Sequence, residues 1–125
     1  MSLQKRKKPR NKAYLKWLDE QKCCALNDFT QEGEHTHHHV RIGNDAGMGQ
    51  KPSDYRCIPL HHRLHTGTIN AIHNIGEDKF FRERNLDPDE IIINLLLNYI
   101  KERHPAISYK KIIEFIEDTI EEDRT

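Results

Sequence analysis

The chain has no apolar run approaching the ~20 residues of a membrane-spanning helix. Nothing at its N-terminus has the apolar stretch of a secretory signal. The cytoplasm is therefore the expected location, with no membrane partner. Cysteine is scarce: Cys23, Cys24 and Cys57 cannot build a disulfide framework, and the adjacent pair is not a C-x-x-C knuckle. A complete four-ligand structural zinc set is not visible, and reduced thiols are expected. A net charge is also missing, since 20 Lys and Arg offset 20 Asp and Glu. There is no internal repeat. Only 35% of residues are hydrophobic, yet apolar clusters recur along most of the 125 residues. That excludes global disorder and points to one domain with a small core.

The charge balance hides an asymmetry. Residues 1–22 carry eight Lys or Arg against Asp19 and Glu20, whereas residues 112–125 carry six acidic groups against Arg124. A basic leading arm over residues 1–9 suits a polyanionic partner such as nucleic acid, although a solvated tail has the same composition.

Hydrophobic periodicity gives a mixed α+β chain. Residues 10–21 read as a short helix with Tyr14, Leu15, Trp17 and Leu18 facing the core. A polar connection over 22–36 leads to a strand at His37–Ile42. Three glycines within residues 43–49 make a flexible loop. A second strand is expected at Tyr55–Ile58, stopped by Pro59, which then opens a helical turn. Thr68 is a fair N-cap for a helix through Ile75 that ends at Gly76, and a further helix follows over Glu77–Arg84. Asp87 or Asp89 caps a helix running to about His104, whose broad apolar content implies burial on more than one side. Ser108 caps a last helix with Tyr109, Ile112, Ile113, Ile116 and Ile120 in one stripe. These two helices read as scaffold or dimer surface.

Eight of the nine histidines fall between His35 and His73. HHHVR is followed ~20 residues later by PLHHRLH, with enough chain between them for a hairpin. Imidazole both ligates divalent metals and exchanges protons near neutral pH. His38 and His39 are neighbours on a strand, so their side chains take opposite faces. One therefore ligates while the other is left to accept a proton from water attacking phosphorus. From the second cluster, His61 and His65 share a face if a helix begins at Leu60. Thr66-Gly67-Thr68 is poor helix interior, and the alternative places His65 at the turn with His73 reaching back. The order of preference is His65, His73, His61. His35, His37 and His104 read as ordinary polar residues.

HHVR, GMGQKPSD, RCIPL and LHTG…IHNIGEDKFF, in that order, resemble the phage and prophage HNH nucleases of the His-Me finger superfamily. The nearest group is the recombination-enhancement (Ref-like) and YbcO-like nucleases, and the resemblance covers about residues 14–87. It implies a ββα-metal core, expected over residues 10–87; residues 88–125, which the resemblance does not reach, are expected as a helical extension packed on that core. It also implies metal-dependent cleavage of DNA. On this resemblance His39 is the general base, His38 a metal ligand, His65 the histidine at the helix start and His73 the one before the Ile-Gly segment. Asp54 takes the position that braces the loop or orients a ligand histidine. Relatives often carry a cysteine after Pro-Leu and a C-x-x-C upstream; here His61 and Cys23-Cys24-Ala25-Leu26 stand there.

The function expected is a DNA endonuclease of phage recombination or DNA processing, holding one divalent cation on His38, His65 and His73 with His61 in reserve. Three imidazoles favour zinc, nickel or manganese over magnesium. Arg41, Lys51 and Arg63 are expected to contact phosphates, which gives affinity and register without reading sequence. A recombination-protein filament and a second copy of the chain are the other candidate partners. The rival readings are a non-catalytic nucleic-acid-binding module stapled by metal and a metal-responsive regulator.

Overall fold

The computed structural model describes residues 10–25, 35–42 and 52–124. The basic arm, the glycine-rich loop and Lys51 lie outside the described residues. Helix α1 spans Lys12–Asp19. It starts at Asn11, whose side chain accepts the Tyr14 N–H at 3.0 Å, an N-cap of the kind that satisfies an orphan donor of the first turn. Tyr14, Trp17 and Leu18 are buried on one face, and Leu15 packs against the same core.

Strands β1 (His35–His39) and β2 (Cys57–His61) form an antiparallel pair in which His38 faces Ile58 and His39 faces Cys57. Both differ from the sequence expectation. β1 begins two residues before His37 and stops at His39, because the amides of Arg41 and Ile42 are taken by the Glu77 carboxylate rather than by a strand. Pro59 does not end β2 but sits inside it, opposite His37. Its carbonyl accepts the Cys24 N–H at 3.0 Å, on the edge facing away from β1. A residue's N and C=O point to the same edge of a strand, so the missing donor of Pro59 costs the β1–β2 ladder nothing. Tyr55 and Arg56, expected as the start of the strand, belong instead to a 3-10 turn over Asp54–Arg56 capped by the Ser53 hydroxyl.

His62 follows β2, and Arg63–Gly67 forms one π-helical turn. Because His61 is a strand residue, it shares no helix face with His65. Helix α2 is a single turn, Ile72–Ile75, beginning after Ala71 rather than at Thr68. It ends at Gly76, which adopts φ +89°. α3 (Glu77–Glu83) starts immediately. α4 (Pro88–Arg103) is capped by the Asp87 carboxylate, with Pro88 in its first turn. α5 is Tyr109–Arg124, with Ser108 Oγ accepting the Lys111 N–H.

One core cluster joins α1, β2, α2, α3, α4 and α5 with Val40 just after β1, while the 3-10 turn and the π-helical turn contribute only partly buried Tyr55 and Leu64. α4 buries Ile92, Leu96, Tyr99 and Ile100 and packs Ile91, Ile93, Leu95 and Leu97 against the cluster as well, the two-sided burial its composition implied. Tyr99 lies edge-on to Tyr14 and Trp17, with ring centroids 4.8 and 5.2 Å away. Such contacts add about 0.5–1.5 kcal/mol per pair beyond the area buried. On α5, Ile112 and Ile116 are buried, but Tyr109 is 67% exposed and leaves the expected stripe. Arg56 is buried because carbonyls satisfy it: its guanidinium donates to Ile42 O at 2.6 Å and reaches Asp89 on α4 at 3.3 Å. No helix among the described residues is long and apolar enough to cross a membrane.

Candidate metal centre and paired imidazole–carboxylate site

A cleft of about 540 Å³ opens beside the end of β1, lined by His37, His38 and His39 together with His65, His73 and Glu77. Alternation along β1 sends His38 to one face of the hairpin and His37 and His39 to the other. The two faces meet different neighbours.

On the first face, His38 meets His65 from the π-helical turn and His73 from α2. One nitrogen from each of the three lies within 4.8 Å of the others. Nε2 of His65 and Nε2 of His73 are 2.9 Å apart. Two imidazole nitrogens this close share either one proton or one cation. The separation is near the ~3.3 Å between neighbouring nitrogens around tetrahedral zinc with ~2.0–2.1 Å bonds. Burial lowers the His65 pKa to about 4, helped by His38 and His73. Burial and His38 lower that of His73 too, partly offset by Glu77. Both rings are thus held in the neutral form a metal requires.

On the second face, His39 Nε2 lies 2.9 Å from Asp54 Oδ1. Asp54 is 3% exposed, and its other oxygen takes the Asn11 N–H at 2.7 Å. Burial alone would raise the Asp54 pKa. The His39 hydrogen bond, the Asn11 amide and the nearby Arg10 guanidinium outweigh burial and hold it below the usual carboxylate range. An ionised carboxylate only accepts, so His39 donates through Nε2. The sequence reading placed Asp54 against the loop or a ligand histidine; it orients the imidazole expected to act as base. His37 repeats the pattern more openly, with Nδ1 2.9 Å from Asp19 at the end of α1.

Of the expected ligands, His38, His65 and His73 converge. His61 does not join them: it is 4% exposed, and its Nδ1 accepts the Arg63 N–H at 3.0 Å. Arg41 is exposed and lines the cleft, while Arg63 is exposed on the π-helical turn. Cys24 is not poised as a thiolate, since burial pushes its pKa up to about 12.

Glu77 was missed by sequence reasoning. Its Oε2 sits 2.7 Å from His38 Nε2 and its two oxygens accept the Arg41 and Ile42 amides. Burial would raise its pKa, yet the His38 and amide hydrogen bonds bring it below the ordinary value. The available signal was an acidic residue directly after a glycine at a helix start, which reads equally well as a favourable charge at a helix N-terminus.

These features define a small α+β protein with a three-imidazole cluster on one side of a hairpin and a carboxylate-bound imidazole on the other. The chain belongs to the family described as Protein of unknown function (DUF968), whose model matches residues 1–80 and so takes in every cleft residue named above. No curated protein and no solved structure matches it.

Proposed function

We propose that the protein is a metal-dependent endonuclease that hydrolyses DNA phosphodiester bonds, with β1, β2 and α2 forming a ββα-metal core. The observation that carries this reading is the division of labour between adjacent residues of β1. His38 turns to His65 and His73, and His39 turns to Asp54, beside one cleft.

The donor set fits a divalent cation. His38, His65 and His73 would hold it, and three imidazoles favour zinc, nickel or manganese over magnesium. Bound there, the ion supplies charge neutralisation at the phosphate and the leaving oxygen. With its Nε2–H donating a hydrogen bond to Asp54, His39 has Nδ1 as its basic nitrogen. It takes the proton of the attacking water as the new phosphorus–oxygen bond forms and the bond to the leaving sugar oxygen breaks. Asp54 stabilises the imidazolium that results and keeps the ring in the tautomer that makes Nδ1 the base. Arg41 supplies a cation at the cleft wall for a flanking phosphate, with Arg63 on the neighbouring turn.

The test is cleavage of supercoiled plasmid and of single strands with zinc, nickel, manganese or magnesium, against an EDTA control. Wild type is expected to nick in at least one metal. His39→Ala should retain metal binding and slow nicking by about 10²–10⁴-fold, the usual contribution of a positioned base. Nicking by His39→Ala at the wild-type rate would remove the base assignment. Salt-sensitive DNA binding with no product in any metal would replace the enzyme by a metal-stapled binding module.

A further inference from the structure

Glu77 is the first residue of α3, and both its oxygens are engaged. Oε2 receives His38 Nε2 at 2.7 Å and the Arg41 N–H at 2.8 Å, while Oε1 receives the Ile42 N–H at 3.0 Å. Its side chain is 13% exposed. All three donors come from β1 or the two residues that leave Val40, so one carboxylate ties the end of the histidine strand to the start of the helix after His73.

We propose that Glu77 is the positioning residue of the candidate metal centre: by accepting the Nε2 proton of His38 it leaves Nδ1 as the nitrogen that meets a cation shared with His65 and His73. This rests on the metal reading given above. A neutral imidazole has one protonated nitrogen and one lone pair, and the partner of the first decides which nitrogen has the second. A carboxylate on the far nitrogen also raises the basicity of the near one and fixes the ring plane, effects worth about 10- to 100-fold in metal affinity where they have been removed. Glu77 does a second thing that a solvent-facing partner would not. By holding the Arg41 and Ile42 amides it stops the exit of β1 from drifting away from α2, keeping His38 beside His73, whose ring centroid is 5.0 Å from its own.

The experiment has two arms. In the first, the imidazole nitrogens of ¹⁵N-labelled, metal-free wild type are assigned by long-range proton–nitrogen correlation. His38 is expected as the Nε2–H tautomer and should keep that proton when zinc is added. An Nδ1–H tautomer, or loss of the Nε2 proton on zinc addition, would overturn the proposal. In the second, zinc affinity is measured by competition with a chromophoric chelator for wild type, Glu77→Gln and Glu83→Gln, the last an exposed residue of the same helix. Glu77→Gln should bind about 10- to 100-fold more weakly, with a weakened His38 tautomer preference, and Glu83→Gln as wild type. Equal affinity in Glu77→Gln would end the idea. If Glu77→Gln does not fold, the wild-type tautomer still decides. If wild type takes up no metal at all, the metal reading fails, while the first arm separately reports whether Glu77 sets the His38 tautomer.

Discussion

Two histidines next to each other in the chain are separated in chemistry by the carboxylates they meet. His39 has Asp54 and His38 has Glu77. The first of these partnerships gives a sharp prediction. Asp54→Asn keeps the size of the side chain but offers one acceptor where two are needed, because both the Asn11 amide and His39 Nε2 point protons at it. If the amide nitrogen faces His39, the ring must move its proton to Nδ1 and can no longer act as base. If it faces Asn11, the start of α1 loses its anchor. Nicking by Asp54→Asn should fall at least tenfold and up to the roughly 10²–10⁴-fold cost of losing the base altogether. Stability should fall by about 1–3 kcal/mol for the unsatisfied buried donor. Zinc affinity should stay at the wild-type value, since none of His38, His65 or His73 touches Asp54; a shared loss would show that the two faces of the hairpin are not separate. The convergence of His38, His65 and His73 was legible in the sequence because clustered imidazoles are rare and strand alternation divides neighbours. The carboxylates were less so. Asp54 was visible only as a position, and Glu77 hid among ordinary acidic helix-start residues, because a hydrogen bond across 39 residues leaves no periodic trace.

Among the elements, the short pieces between β2 and α3 do most to position the site, and they are also where reading by pattern met its limits. Propensity places a helix from Thr68 and a stop at Pro59. The structure has a π-helical turn at Arg63–Gly67 and a one-turn α2 at Ile72–Ile75. Such turns carry too few residues for a 3.6-residue period to register. Pro59 misled for a different reason: a two-stranded pair has free edges, and a proline whose vacant nitrogen faces an edge is compatible with strand. Gly76 was legible, and it is the joint of this region. It closes α2 through its N–H to Ile72 O and opens α3 through its carbonyl to Phe80 N. Its φ of +89° lies where side chains are strained, although a Cβ there would meet nothing within 4 Å. Gly76→Ala should therefore destabilise by about 1–3 kcal/mol through backbone strain alone. A thermal melt of the metal-free protein is the check. An unchanged midpoint would mean that the positive φ is not held in solution, and that the α2–α3 junction does not fix His73 relative to Glu77.

For the molecule as a whole, proton and metal should act on stability through the same cleft. The fold holds His65 neutral down to about pH 4, whereas in the unfolded chain it takes up a proton near its ordinary value of 6.5. Between those limits the unfolded state binds more protons, so stability rises with pH across the window and falls as the pH is lowered from about 6.5 towards 4. His73, shifted in the same direction, adds to this slope. Above the window both states are neutral at these positions and their contribution is flat. A divalent cation that binds the folded centre and not the unfolded chain stabilises it by RT ln(1 + [L]/Kd), about 2.7 kcal/mol at a hundredfold excess over Kd. Melting curves of metal-free protein should therefore show the midpoint dropping from pH 6.5 to 4. Zinc at pH 7 should raise the midpoint by several degrees in wild type and not in a variant carrying His65→Ala and His73→Ala together. That variant should also lose most of the acid slope, because the groups that refuse protons in the fold are gone. Persistence of the slope in the double variant would place the acid sensitivity elsewhere. Asp54 and Glu77 would not account for such a slope. Their lowered carboxylate values predict loss of stability in a separate, more acidic range, below the ordinary carboxylate pKa of about 4.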